Sequence, residues 1–344
     1  MDGVFETQPD RTDLPLVVMP VVIESMIGPF KQNFTMLENV ARVRMYEDFT
    51  LDEDTIVERC KDADAVMVIG FHCADAILDR LDAKCYAFGG TRGATYINLE
   101  KTKERGIRVC NVLHYGDHAV AEHAMALAQA ANRRICKAYI KVRNNNFALD
   151  GLLGQNFYGA CAGIVGTGRI GAAMARICHG FGMNVLCYDM YKNPEVEKFA
   201  RYVSLEELLQ KADLVSLHCP LTEGTHHMIN KDTIAMMRDS AILVNTSRGG
   251  LIDTDALIEA LRARKFGGVG LDVYEDEDDQ VFQDFSDDVL ENEVVPVLLS
   301  FPNVVITSHQ AFFTRTALQS IAAITLENAR AFARGEELKN EVKA

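Results

Sequence analysis

The sequence predicts an α/β protein made of two doubly wound parallel-sheet domains. Two observations carry this prediction. β-rich apolar runs alternate with helical segments on both sides of a long helical pattern at about Asp117–Asn146, as is typical of parallel strands joined by crossover helices. The chain also has 344 residues, 48% of them hydrophobic, which is enough to fill two cores.

The composition argues against several classes of protein. The longest apolar runs, such as Leu14–Ile23, are shorter than the ~20 residues of a membrane helix, and the N-terminus lacks the features of a secretory signal. Nine scattered cysteines without a CxxC pair argue against a disulfide framework or zinc site. The net charge of −14, without a basic cluster, offers no surface for nucleic acid. We therefore expect a cytoplasmic protein that binds neither nucleic acid nor membrane.

The first hundred residues predict a sheet without a nucleotide site. Helical segments are expected at 51–61 and 74–81, between strands at 16–23, 43–46, 65–69, 85–88 and 107–110. The residues after the first of these strands carry no glycine fingerprint. The dinucleotide is therefore expected elsewhere.

A dinucleotide-binding unit is predicted at residues 160–189. Gly166, Gly168 and Gly171 have GxGxxG spacing directly after the apolar run 162–165; the first glycine allows a tight turn, the second a close approach of the pyrophosphate, and the third close packing of helix on strand. Asp189 ends the next strand, where a carboxylate accepts the ribose hydroxyls and repels a 2′-phosphate. A glycine-rich turn of no special function is the alternative, but the flanking elements favour an NAD site.

The alternation resumes after Asp189. Helices are expected at 205–211, 233–237 and 254–263, and strands at 214–217, 242–245, 268–273 and 304–307. An amphipathic pattern at 314–334 predicts a last helix that rejoins the first domain. The predicted domains are a substrate domain of residues 1–116 plus 311–344 and an NAD-binding domain of residues 117–310. Because ligands of open α/β sheets bind beyond the carboxyl ends of the strands, we expect a cleft between the domains.

Three polar residues follow late strands, at the edge where ligands are expected. Arg248 lies in AsnThrSerArgGlyGly, Glu277 in AspValTyrGluAspGlu and His309 in ThrSerHisGlnAlaPhe. If they converge, Arg248 can bind a carboxylate and polarise a ketone, while His309 supplies a proton and Glu277 raises the histidine pKa towards neutrality. Taken singly, each is more simply a surface charge or a packing residue. Together they suit reduction of a 2-keto acid.

The same motifs resemble a known family. HisCysProLeuThr at 218–222, AsnThrSerArgGly at 245–249, the run 270–277 and SerHisGlnAlaPhe at 308–312 are similar to the D-specific 2-hydroxyacid dehydrogenases, D-lactate dehydrogenases most of all. The resemblance covers about residues 106–335. It implies a flavodoxin-like catalytic domain, a Rossmann NAD-binding domain and an expected homodimer.

The resemblance also implies roles for individual residues. Arg248, Glu277 and His309 would be catalytic, and Gly93, Tyr115 and Phe312 would contact the substrate. Besides the three glycines, the residues implied to contact NAD are Arg169, Ile170, Asp189, Cys219, Pro220, Thr225, Thr246, Ser247 and Asp272, the last receiving the nicotinamide carboxamide.

The loop at 90–96 reads GlyThrArgGlyAlaThrTyr and departs from the family pattern. Arg92 stands where relatives usually have a small neutral residue, so phenylpyruvate, hydroxypyruvate and oxaloacetate remain alternatives to pyruvate. A surface role for Arg92 is the competing interpretation. An NAD-sensing corepressor is the non-enzyme alternative, and phosphoglycerate dehydrogenase another enzyme alternative.

No metal site is predicted. His226 with His227, and His118 with Glu122 and His123, lack a full ligand set at a recognised spacing. The acidic stretch 275–293 fits no calcium loop. Apart from Glu277, it is interpreted as a solvated loop.

Overall fold

The computed structural model describes residues 3–90, 96–277, 280–281, 283–288 and 292–342. The chain forms two compact units: the first comprises the chain up to Tyr115 and again from Thr314 onwards, and the second is Gly116–Phe313. Within the described residues, no helix combines the length and apolar character that crossing a membrane would require.

In the described part of the first unit, six strands form a sheet in the order β1-β3-β2-β4-β5-β6. All neighbours are parallel except β1 and β3, and β2 to β6 have the 2-1-3-4-5 order of flavodoxin-like sheets. The strands are β1 (Val4–Thr7), β2 (Leu16–Met19), β3 (Arg42–Tyr46), β4 (Ala65–Val68), β5 (Cys85–Phe88) and β6 (Arg108–Cys110). The helices of the described residues include α1 (Glu24–Asn33), α2 (Glu53–Cys60), α3 (Asp75–Leu78), α4 (Leu99–Glu104) and, in the C-terminal segment, α13 (Arg315–Ala333).

The second unit contains a parallel sheet whose described strands have the order β13-β12-β11-β10-β7-β8-β9, the doubly wound order of dinucleotide-binding domains. Its strands are β7 (Cys161–Val165), β8 (Asn184–Tyr188), β9 (Arg201–Tyr202), β10 (Leu214–Leu217), β11 (Ile242–Asn245), β12 (Gly268–Leu271) and β13 (Val304–Ile306). Its helices are α5 (Asp117–Asn132), α6 (Ile135–Arg143), α7 (Arg169–Gly180), α8 (Pro194–Glu197), α9 (Leu205–Lys211), α10 (Lys231–Met236), α11 (Thr254–Arg262) and α12 (Val294–Leu299).

Apolar cores cover both faces of the second sheet. Helices α5 and α7 pack on one face, and α9, α10 and α11 supply residues of the core on the other. In the first unit, α13 (Arg315–Ala333) packs against α1 and β5, while α2 and α3 contribute to the separate core. The prediction of two doubly wound α/β sheets is confirmed.

Several predicted boundaries were wrong. The first predicted strand ends at Met19 because Pro20 follows it, and a proline has no N–H to donate to a sheet. The helical pattern at 117–146 is two helices, α5 and α6, separated at Arg134, whose φ of 52° is left-handed. The sequence pattern did not predict β1, α1, α4, α8, β9 and α12.

Candidate active site

The glycine turn after β7 has the geometry of a phosphate-binding turn. Gly166 has a φ of +88°, and a Cβ atom there would lie 2.6 Å from the backbone N of Cys219. A Cβ on Gly171 would lie 1.9 Å from the carbonyl oxygen of Gly166, so α7 touches the turn at this point. A Cβ on Gly168 would meet no atom within 4 Å. The turn is therefore closed behind Gly166 and Gly171 and open at Gly168.

Helix α7 begins at Arg169, directly after the turn. The N–H groups in the first turn of a helix lack intrahelical partners and favour anions. The Arg169 guanidinium is 63% exposed and pairs with Asp117 at the start of α5. Ile170 is half-buried against the core beneath α7. The helix N-terminus thus offers backbone donors beside the open side of the turn.

Asp189 follows β8 and is fixed by backbone and side-chain donors. Its Oδ2 accepts hydrogen bonds from the N and Oγ1 of Thr167, at 2.5 and 3.1 Å, and its Oδ1 accepts from the N of Tyr191 at 3.0 Å. The Tyr202 hydroxyl donates in turn to Thr167 Oγ1 at 2.7 Å. Burial acts to raise the pKa of Asp189, but these hydrogen bonds outweigh it and leave the pKa below its ordinary value. The carboxylate is therefore ionised at neutral pH.

The loops after β10 and β11 are tied to each other. Ser247 Oγ, in the loop after β11, donates a hydrogen bond to the carbonyl oxygen of Cys219, in the loop after β10, at 2.6 Å. Within the loop after β10, Thr225 Oγ1 donates to the carbonyl oxygen of Pro220 at 2.7 Å. Thr246 is buried next to Ser247. Since β7, β10 and β11 are neighbours in the sheet, these residues lie at the same edge as the glycine turn.

Asp272 is buried and holds the loop that carries His309. Its Oδ1 accepts hydrogen bonds from Thr307 Oγ1 at 2.5 Å and the N of Gln310 at 3.0 Å, and its Oδ2 accepts from the N of Ala311 at 2.8 Å. Burial acts to raise the pKa of Asp272, yet hydrogen bonds from His123 and these donors lower it overall. The role in binding the carboxamide stays a prediction, while the bracing of the loop is observed.

His309 and Glu277 form a hydrogen-bonded pair. His309 Nδ1 lies 2.6 Å from Glu277 Oε1, and the two side chains are only 16% and 8% exposed. The His309 backbone is left-handed, with a φ of 48°. Glu277 Oε2 also accepts from the N of Tyr274 at 3.3 Å. Because Glu277 faces Nδ1, the other ring nitrogen, Nε2, is directed away from the carboxylate.

Arg248 lies just beyond β11, and its segment packs against the one that carries Glu277. Its Nη1 donates to the carbonyl oxygen of Ser247 at 2.7 Å, and its own carbonyl oxygen accepts from Asn245 Nδ2 at 2.8 Å. A Cβ on Gly249 would lie 2.1 Å from the carbonyl carbon of Tyr274. The two segments therefore meet backbone to backbone.

The predicted substrate residues are described only in part. Tyr115 is half-buried at the end of the first unit's N-terminal segment. Phe312 lies in the second unit. A Cβ atom added to Gly116 would lie 3.5 Å from the Cβ of Phe312. Gly93 and Arg92 lie outside the described residues.

The structure corrects the interpretation of Glu275 as part of a solvated loop. Glu275 is half-buried, and its carboxylate accepts hydrogen bonds from His227 and Thr254. The side-chain atoms of His226, His227 and Glu275 that could bind a metal ion lie within 4.8 Å of one another. The sequence pattern did not indicate this grouping. His227 and Glu275 are 48 residues apart, so no local pattern pointed to their contact.

Comparison with known proteins shows the family. The profile described as "D-isomer specific 2-hydroxyacid dehydrogenase, NAD binding domain" matches residues 125–311. The 2-hydroxyacid dehydrogenase A of Aspergillus oryzae is 43% identical over 307 residues, 86% of each chain. The D-lactate dehydrogenase of Escherichia coli is 45% identical over 251 residues, covering 73% of this chain and 76% of that protein.

A solved structure extends the likeness to the fold. The D-lactate dehydrogenase of Aquifex aeolicus, complexed with NAD and lactic acid, is 30% identical with a TM-score of 0.81, covering 96% of this chain and 99% of that one. The predicted family and cofactor are confirmed. The chain therefore belongs to the D-isomer specific 2-hydroxyacid dehydrogenases and is an NAD-dependent oxidoreductase.

Proposed function

We propose that the protein reduces a small 2-keto acid, with pyruvate as the first candidate, to the D-2-hydroxy acid and catalyses the reverse reaction. The observation that carries the proposal is the His309–Glu277 pair, held at 2.6 Å in a loop that Asp272 braces. A histidine whose one nitrogen is bound by a carboxylate is well arranged to transfer a proton at the other.

The residues of this chain supply the remaining polar groups. The bound nicotinamide supplies the hydride for reduction and accepts it in the reverse direction. Arg248 binds the substrate carboxylate and polarises the ketone, since a guanidinium offers several N–H donors in one plane. His309 Nε2 gives its proton to the carbonyl oxygen as negative charge develops there, and Glu277 keeps the imidazole oriented throughout.

The second unit holds NAD in this proposal. Gly166 and Gly171 shape the turn, the open side at Gly168 receives the pyrophosphate, and Asp189 accepts the ribose hydroxyls. The remaining proposed contacts are Arg169, Ile170, Cys219, Pro220, Thr225, Thr246, Ser247 and Asp272. Gly93, Tyr115 and Phe312 are the proposed substrate contacts.

An NADH-oxidation screen tests the substrate and the product. Pyruvate, phenylpyruvate, hydroxypyruvate, oxaloacetate and 2-ketoisocaproate are compared by kcat/KM, and the hydroxy acid formed is resolved on a chiral column. We expect pyruvate to rank first and the product to be the D-isomer. A higher rank for phenylpyruvate or oxaloacetate would replace pyruvate as the substrate, and an L-product would overturn the proposed stereochemistry.

We also propose that the protein is a homodimer. Helix α6 and the segment after it expose a run of large apolar side chains, and solvent-exposed apolar patches of this kind mark interaction surfaces. They are Ile135, Tyr139, Ile140, Val142, Phe147, Leu149, Leu153 and Tyr158. A second copy of the chain is the proposed partner. Sedimentation of the wild type and of Leu149→Glu with Leu153→Glu tests this: the wild type should be dimeric and the double variant monomeric, and a monomeric wild type would contradict the proposal.

A cytosolic location is proposed as well. All nine cysteines are free, six of them buried, which suits a reducing compartment. Localisation of the tagged full chain checks it, and a signal in an oxidising compartment would contradict it.

A further inference from the structure

Three loops of the second unit meet at one carboxylate, that of Glu275. Its Oε1 lies 2.6 Å from His227 Nε2, and its Oε2 accepts hydrogen bonds from the backbone N of Thr254, at 3.0 Å, and from the Thr254 hydroxyl. His227 follows β10, Thr254 begins α11 after β11, and Glu275 follows β12. Both carboxylate oxygens are engaged, so the direction of the Glu275 side chain is fixed.

Two of these loops carry proposed catalytic residues. Glu277 is two residues beyond Glu275. The other loop carries Arg248, and Gly250 lies two residues beyond it. The backbone N of His227 donates a hydrogen bond to the carbonyl oxygen of Gly250 at 2.8 Å. A Cβ on Gly249 would lie 2.5 Å from the N of Glu275. His227 is therefore bonded to the Arg248 loop through its backbone and to the Glu277 loop through its side chain.

The negative charge of Glu275 strengthens its hydrogen bonds to His227 and Thr254. Burial acts to raise the pKa of Glu275, but hydrogen bonds from Thr254 and His227 outweigh it and lower the pKa below its ordinary value. Glu275 is thus an ionised acceptor at neutral pH, and hydrogen bonds to a charged acceptor are stronger than those between neutral groups. The side chains of His227 and Glu275 are 36% and 23% exposed, so substitutions there need not disturb the core.

We propose that His227 and Glu275 are positioning residues that set the placement of Arg248 relative to Glu277. This rests on the proposed function, in which Arg248 binds the substrate and Glu277 orients His309. Neither positioning residue touches substrate in this account. Their loss should therefore lower turnover of the keto acid while the protein stays folded and binds NADH.

A matched pair of variants isolates the side-chain bond. His227 has a φ of 50°, a conformation that asparagine tolerates, so His227→Asn removes the reach to Glu275 without adding backbone strain. His227→Gln adds one methylene, and its amide nitrogen can donate where Nε2 did. The control is Lys231→Gln, which breaks an exposed ion pair with Glu259 on the same unit. For each protein, kcat, KM, the Kd of NADH by fluorescence and Tm are measured.

For His227→Asn we expect a loss of about tenfold or more in kcat/KM for the keto acid, carried mainly by kcat, with less than about threefold change in the Kd of NADH. His227→Gln should recover at least about half of the turnover, and Glu275→Gln should behave like His227→Asn. Wild-type kcat/KM in His227→Asn, or equal losses in the Asn and Gln variants, would overturn the proposal. Arg248→Gln, assayed alongside, distinguishes failure of the proposed function from failure of the positioning role. If Arg248→Gln keeps its activity, the proposed function is wrong. If Arg248→Gln is inactive and His227→Asn has wild-type activity, only the positioning role is wrong.

Discussion

The imidazole of His309 and the carboxylate of Glu277 meet through Nδ1 and Oε1 at 2.6 Å, in a setting where both side chains are largely buried. The two residues come from different loops, after β13 and after β12. Their contact fixes which nitrogen of His309 faces the carboxylate. The proposed proton transfer at Nε2 depends on this orientation.

Glu277→Gln should lower turnover by at least about tenfold. The amide oxygen can still accept a hydrogen bond from Nδ1, but its negative charge is gone and the amide can rotate to present a donor instead. Steady-state kinetics at saturating NADH measure the effect. Wild-type kcat would contradict the coupling between Glu277 and His309.

The cofactor preference should depend on Asp189. Because its carboxylate is ionised and held by Thr167 and Tyr191, the 2′-phosphate of NADPH would face an unpaired like charge. We expect NADH to be favoured by about tenfold or more in kcat/KM, or about 1.4 kcal/mol, and Asp189→Ser to lose most of this preference. Equal efficiency of the wild type with both cofactors would refute the assignment.

Gly171→Ala should damage the nucleotide site. The added Cβ would lie 1.9 Å from the carbonyl oxygen of Gly166, and relief of such a clash typically costs about 1–3 kcal/mol. We expect a lower Tm and weaker NADH binding. Gly180→Ala, in the last residue of the same helix, is the control, because its Cβ would meet no atom within 4 Å. Indistinguishable Gly171→Ala and Gly180→Ala proteins would show that helix and turn are not in close contact.

His218 should make stability fall in mild acid. Its Nδ1 is buried, its Nε2 lies 2.8 Å from Ser216 Oγ, and burial lowers the pKa of His218 to about 4. Between pH 6.5 and 4 the unfolded histidine binds a proton that the folded one does not. The free energy of unfolding therefore decreases as the pH is lowered through this range. From pH 7 to pH 5 this loss should be about 2 kcal/mol.

Urea unfolding at the two pH values, for the wild type and His218→Gln, measures the contribution. The variant should lose about 2 kcal/mol less than the wild type between pH 7 and pH 5. The same loss in both proteins would assign the acid sensitivity to other groups.

Regular local patterns predicted most of the fold. The alternation of apolar runs with helical segments predicted the two sheets, because buried parallel strands need continuous apolar residues. The break between α5 and α6 at Arg134 could not be predicted in this way, because neither glycine nor proline stands at that position. Strand β1 is short and half-exposed, and it depends on pairing with β3, about 40 residues away. Such tertiary pairing leaves little trace in a local sequence.

The position of candidate site residues could be predicted where they follow strand ends. Glu277 and His309 were expected at the same edge of the sheet, and they are in contact there. Glu275 was misjudged because ten acidic residues stand at 275–293, and an acidic run resembles a solvated loop. Its partners, His227 and Thr254, are brought to it only by the packing of neighbouring strands.

Single-turnover oxidation of bound NADH by pyruvate, compared between the wild type and His309→Ala, measures whether His309 is the acid–base group. His179→Ala, an exposed histidine on the same unit, is the control. We expect His309→Ala to bind NADH normally but to react about 10²–10⁴-fold more slowly, and His179→Ala to react like the wild type. A His309→Ala protein that oxidises NADH within about threefold of the wild-type rate would contradict the assignment of His309 as the acid–base group.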